Sequence, residues 1–166
     1  MNNSFKITFC ITCKGRAHHV RKTLPKNITD NADYKNANFI IVNYNTQDTL
    51  MEELKANHAN DIKSGKVVVY SVKGVTTFKM AHAKNIAHRL AIEGGADILV
   101  NLDADNLTGP GFASYINEQF NINPNIFMWA RMIPGVLPRG ISGRIVVSKE
   151  AYLNVGGYDE QFETWS

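Results

Sequence analysis

The chain has 166 residues, 44% hydrophobic and 20% charged, which suffices for one substantial core in one domain and excludes a disordered or fibrous chain. The formal net charge is +3, but the 18 basic residues are scattered with no dense Lys/Arg run, so nucleic acid is not an expected partner. No apolar run approaches the ~20 residues of a transmembrane segment, and residues 1–6 are too polar for a signal peptide. These features predict a cytoplasmic protein whose mild positive balance suits a small anionic ligand.

Residues 6–12 alternate as a first strand and carry Cys10, with Cys13 just beyond. The C-x-x-C spacing suggests a redox or metal pair, but positions three apart on a strand point to opposite faces, so the two are read as buried or half-buried free thiols. Residues 18–31 form a polar helix in which Pro25 is expected to introduce a break or kink. A second strand covers 38–44, and 46–60 is helical, with Leu50, Met51 and Leu54 on one stripe and Gly65 closing the segment. A third strand follows at 66–72.

The helix over 77–93 has the clearest periodicity, because Ala83, Ile86, Ala87, Leu90 and Ala91 share one face and Gly94-Gly95 stops it. His82 and His88 lie six apart on it, about 240° around, and so cannot form one metal face. A fourth strand covers 97–102. Beyond Asn106 come a Gly/Pro turn, a short helix over 112–120, and strands at 126–131 and 142–148 joined by a Pro/Gly-rich loop. Strands alternating with helices predict an α/β fold with a mostly parallel sheet flanked by helices.

In such sheets the ligand lies beyond the carboxyl ends of the strands. There the sequence places Thr12, Lys14 and Arg16 after the first strand, Asn43, Asn45 and Asp48 after the second, and Asp103-Ala104-Asp105 after the fourth. On an extended segment the two Asp side chains share a face, so one can hold a divalent cation while the other reaches its water or a ribose hydroxyl. Carboxylates suit Mn2+ or Mg2+, and cation and basic side chains together suit a phosphate ester.

With these residues in place, the chain resembles a GT-A glycosyltransferase of the family 2 group, with a C-terminal stretch similar to the galactosyltransferase acceptor-side motif. Four segments carry the likeness in the family's order: 11–16, 78–91 with Ala83-Lys84-Asn85 where A-R-N is usual, the D-x-D at 101–106, and 143–165 with Gly156-Gly157-Tyr158-Asp159-Glu160. The resemblance implies a Rossmann-like nucleotide-binding sheet within one GT-A-like domain over 1–166. It implies that Thr12, Lys14 and Arg16 line the nucleotide pocket, and that Lys84 and Asn85 face the nucleotide or its phosphates. Asp103 would hold the ribose or a metal-bound water, and Asp105 the divalent ion. The implied reaction is inverting transfer of a sugar from a nucleoside diphosphate sugar, UDP-sugars favoured, to a glycan or other hydroxyl acceptor.

Two departures stand out. Asn43 and Asn45 occupy the place of an acidic motif that reads the base, although an amide can still pair with a base edge. In the related enzymes a tryptophan stretch like that at 163–166 runs into an E-D pair that supplies the catalytic base, but here it ends at Ser166. The resemblance therefore places the expected acid beyond Ser166, predicts a C-terminal truncation, and leaves Asp159 and Glu160 as the nearest acids in the chain. The rival reading is a nucleotide-sugar-binding module without turnover. A nucleotidyltransferase would need a longer Gly-rich loop than Lys14-Gly15-Arg16 provides.

Overall fold

The computed structural model describes residues 3–45, 48–129 and 143–162. The elements run β1 (Ile7–Cys13), α1 (Ala17–Asp30), β2 (Ala37–Tyr44), α2 (Leu50–Asn57), α3 (Ala59–Lys63), β3 (Val67–Val72), α4 (Met80–Glu93), β4 (Ile98–Leu102), α5 (Phe112–Ile122), β5 (Met128–Trp129), β6 (Arg144–Ser148) and α6 (Lys149–Asn154). The sheet order is β3-β2-β1-β4-β6-β5. β3, β2, β1 and β4 are parallel, while β6 runs antiparallel to β4 and β5 antiparallel to β6.

The parallel strands are Val- and Ile-rich because both their faces are covered. Ile7, Phe9, Ile11 and Cys13 of β1 join one core with Val20 and Leu24 of α1 and Ile116 and Phe120 of α5. Cys10 points to the other core, formed with Ile40, Val42, Leu99 and the α4 stripe Ala83, Ala87 and Ala91. The two cysteines are therefore free, buried and on opposite faces, as strand alternation requires. The small α4 side chains let the helix lie close to the sheet, where the Cys10 Sγ–Ala87 O separation is 3.7 Å.

Several boundaries differ from the sequence reading. α1 does not break at Pro25 but runs from Ala17 to Asp30 through it. Arg21 and Pro25 are exposed, so the carbonyl deprived of its donor faces water, while burial of Val20 and Leu24 holds the helix on the sheet. The helix expected over 46–60 starts at Leu50 and divides at His58, which meets Asp61 at 2.9 Å and opens α3. α6, not anticipated, is capped by Ser148, whose Oγ accepts from the Ala151 N–H at 3.1 Å. The loop over 132–140 and the start of the last predicted strand at 142 lie outside the described residues. So does the stretch 163–166 with Ser166 at its end, and with it the expectation of a catalytic acid beyond Ser166.

Candidate functional site

The strand order reverses at β1, between β2 and β4, which is where open α/β sheets form a ligand crevice. β1 pairs with β4 only from Ile7↔Ile98 to Cys10↔Asn101, whereas its pairing with β2 continues to Cys13↔Asn43. Past Cys10 the two strands part company, and the gap opens beside Lys14 and Asp103.

The Asp103–Asn106 segment is a turn rather than an extended run: the Asn106 N–H donates to the Asp103 carbonyl at 2.9 Å. The two Asp side chains accordingly do not share a strand face as the spacing alone suggests. Asp103 is half-buried and Asp105 exposed. Asp103 Oδ1 accepts from Asn101 Nδ2 at 3.3 Å and lies 3.2 Å from Lys84 Nζ. The Lys84 side chain is only 6% exposed, so the ammonium end of the pair sits out of water while the carboxylate end still meets it. Gly143 closes the other flank, since a Cβ there would collide with the Asp103 carboxylate and come within 2.7 Å of Asn106 Nδ2.

The turn is braced from below by a polar stripe on α1. Thr23, Asn27 and Asn31, spaced four apart, are all buried. Thr23 Oγ1 donates to the Ala104 carbonyl at 2.7 Å, and Asn27 Nδ2 to the Asn106 carbonyl at 3.0 Å. Asn27 Oδ1 accepts from the Thr108 N–H at 2.9 Å, and Asn31 Oδ1 from the Ala113 N–H at 2.8 Å. Arg144 adds a bond from NH1 to the Leu107 carbonyl at 2.8 Å. The sequence reading missed this set: the four-residue spacing is visible in the sequence, but the burial and the distant partners that give it a role are not.

The other expected site residues divide. Lys14 is at the rim, its Nζ donating to the Thr76 carbonyl at 2.7 Å and lying 5.9 Å from the centre of the Tyr44 ring. Thr12 is half-buried and Arg16 exposed. Asn43 is buried at the end of β2, and Asn45, in the left-handed region at φ 52°, donates through Nδ2 to the Val75 carbonyl at 2.6 Å. Asp48 accepts from Ala17 N at 2.9 Å and Leu50 N at 3.2 Å, which serves the first turns of α1 and α2.

Asn85, expected against the nucleotide, is 1% exposed and faces the C-terminal segment. Its Oδ1 accepts from the Tyr152 hydroxyl at 2.7 Å and the Tyr158 N–H at 2.8 Å. Its Nδ2 donates to the Tyr158 carbonyl at 2.8 Å and to Glu160 Oε1 at 2.7 Å. That uses all four hydrogen-bonding positions of the amide. Gly157, at φ 86°, has no room for a Cβ, which would fall 2.7 Å from Asn85 Oδ1. The Tyr158 ring, so fixed, lies 5.7 Å from Lys84 Nζ.

An aromatic group missing from the sequence reading completes the rim. Tyr44, at the end of β2, meets His82 Nδ1 through its hydroxyl at 2.7 Å and Phe78 edge-on at 5.5 Å between centroids. Burial raises the Tyr44 hydroxyl pKa, with the nearby Glu160 charge adding to the effect. Burial likewise pushes Tyr152 up to about 12, and His88, enclosed by Tyr152 and Tyr158, down to about 4.

Gly143 packs directly against the Asp103 carboxylate, and Asp105, exposed at the same turn, presents the carboxylate oxygens that a hard divalent cation would take. Among the described residues no group of three or more His, Cys, Asp or Glu forms a closed metal cage. Sites that share a cation between one or two carboxylates and a substrate phosphate have this open character.

No protein-family model matches the chain, and no curated protein matches it in sequence. Solved structures do. A mannosyltransferase from Pyrobaculum calidifontis, solved with GDP-Man and Mn2+, superposes with a TM-score of 0.72 at 18% identity, over 94% of this chain and 48% of that one. S. aureus TarS 1–349 in complex with UDP gives 0.75 at 9% identity, over 96% and 52%. GalNAc-T7 with UDP, GalNAc and Mn2+ gives 0.73 at 13% identity, over 100% and 39%. The chain thus spans about half the length of these proteins or less. Strand order, crevice and superposition agree that this chain has the GT-A glycosyltransferase fold.

Proposed function

We propose that residues 1–166 form one GT-A-like domain that binds a nucleoside diphosphate sugar with Mn2+ or Mg2+ and transfers the sugar, with inversion, to a hydroxyl acceptor. The observation that carries this reading is the Asp103 carboxylate, pinned by Lys84 and Asn101 in a turn braced on α1 and opening on the crevice between β1 and β4. A carboxylate held in one orientation before the ligand arrives pays no reorganisation cost on binding.

In this reading Asp105 and Asp103 hold the cation, whose chemistry is charge neutralisation at the departing diphosphate. Lys14 and Arg16 add positive charge from the β1 side, and Thr12 and Asn43 line the nucleotide end. Asn45 shapes the loop beside them. Lys84 keeps Asp103 oriented rather than touching phosphate itself. The solved neighbours bound to UDP or GDP-Man support nucleotide diphosphates as the ligand class. A catalytically silent binding module uses the same geometry, and manganese-dependent release of nucleoside diphosphate separates the two.

Paramagnetic mapping tests the site. Substoichiometric MnCl2 added to the 15N-labelled chain should broaden the amides of Ala104–Asn106 before others, and UDP should then shift those of Lys14 and Gly15. Broadening centred elsewhere refutes the assignment.

A further inference from the structure

The outer strands of the sheet leave an apolar hollow on the face that carries α4. Strand alternation sends Val146 of β6 into the α1 core and turns Ile145 and Val147 the other way. Trp129 of β5 pairs with Ile145 in register, so its ring lies on that same face, where it stacks on Phe127 at 5.6 Å between centroids. Ile145 and Val147, with Phe127, Ala151, Tyr152 and Tyr158, line a cavity of about 350 Å3, a size suited to a small molecule. Val155 lines it too and, like Phe127 and Trp129, is more than half exposed. Of the described residues that form it, only Tyr152 and Tyr158 carry side-chain polar atoms, and the Tyr152 hydroxyl donates to Asn85. A bare sugar would leave its hydroxyls unpaired there, a cost that an alkyl group does not meet. The few exposed apolar side chains around the cavity fall short of the roughly 20–30 residues a side of a stable protein interface, so a small amphiphile suits it better than a second copy of the chain.

Tyr158 ties this cavity to the Asp103 turn. Its ring forms part of the cavity wall and also lies 5.7 Å from Lys84 Nζ, which meets Asp103 Oδ1 at 3.2 Å. Asn85 holds the ring in place by bonding both the N–H and the carbonyl of Tyr158. We propose that the cavity is the apolar subsite of the acceptor: the acceptor is an amphiphile, a hydroxyl-bearing head joined to an alkyl chain, with the chain in the cavity and the head toward the Asp103 turn. The inference rests on the sugar-transfer reading above and deepens it by naming the class of acceptor.

Octyl glucoside, kept below its micelle concentration and added to the 166-residue chain labelled with 13C at its methyl groups, tests the subsite. It should shift the methyls of Ile145, Val147, Ala151 and Val155 saturably, and glucose should not. Ala151→Phe fills the cavity from an exposed helix position, and Val155→Asp puts a charge at its rim. Each should weaken the probe about tenfold or more. With MnCl2 and whichever of UDP or GDP binds, the glucose-ring protons of the probe should relax faster than its terminal methyl protons, measured against MgCl2. Cavity methyls that ignore the probe, or that respond to protein concentration instead as a self-associating face would, overturn the subsite while the diphosphate site stands. Faster relaxation of the terminal methyl would reverse the orientation and remove the acceptor role. If neither diphosphate binds, the sugar-transfer reading itself fails, and the acceptor role with it.

Discussion

At the scale of single residues, the Lys84–Asp103 pair is asymmetric in its exposure, and this fixes an order of mutational effects. The Lys84 side chain is 6% exposed and that of Asp103 36%. Asp103→Ala strands an ammonium group in a nearly dry site, whereas Lys84→Met leaves a carboxylate that water can still reach. Urea melts should therefore show Asp103→Ala costing about 3 kcal/mol and Lys84→Met about 1 kcal/mol; equal costs would mean the pair is better solvated than its burial indicates. His88 makes a pH prediction. Desolvation holds its folded pKa at about 4, below the ordinary 6.5. Its neutral form is the one that packs, so its contribution to stability is full above about pH 6.5 and lost as the pH falls toward 4, on the order of 3 kcal/mol. Melts at pH 7 and pH 4 should show this loss in wild type and its absence in His88→Phe.

At the scale of elements, α1 shows how much the sequence discloses and where it stops. Its existence and extent are readable from 18–31, but Pro25 suggests a break that burial of Val20 and Leu24 overrides. Removing the proline should relieve a missing hydrogen bond on an exposed face. Pro25→Ala is expected to raise the urea midpoint by the equivalent of about 1 kcal/mol or more, and an unchanged or lower midpoint would show that the ring has a packing role. The same helix hides its main contribution, because Thr23, Asn27 and Asn31 read as ordinary polar residues until their partners, 81, 79 and 77 positions away, are known. α4 repeats the lesson. Its apolar stripe predicts the face laid on the sheet, while the divergent duties of Lys84 and Asn85, toward Asp103 and toward Tyr158 and Glu160, depend on long-range folding. The D-x-D position is legible from the apolar strand before it; the turn that carries it is not, because a two-residue spacing fits strand and turn alike.

At the scale of the whole molecule, strands alternating with helices and near-continuous Val/Ile runs sufficed to predict a parallel sheet covered on both faces, and Cys10 and Cys13 correctly fall into separate cores. What such reasoning could not supply is the strand order, since β6 inserts between β4 and β5 and runs against β4. That antiparallel insertion brings Gly143 onto Asp103, and α6, which follows it, leads to the segment Asn85 grips. The central claim is that this assembled rim binds a nucleoside diphosphate through a cation held at Asp103 and Asp105. Titration calorimetry of UDP and GDP into the chain with MnCl2 tests it most directly. The account predicts binding of at least one diphosphate, weakened about tenfold or more by chelation and by Asp105→Ala. Heat from neither diphosphate, or affinity untouched by Asp105→Ala, would contradict it.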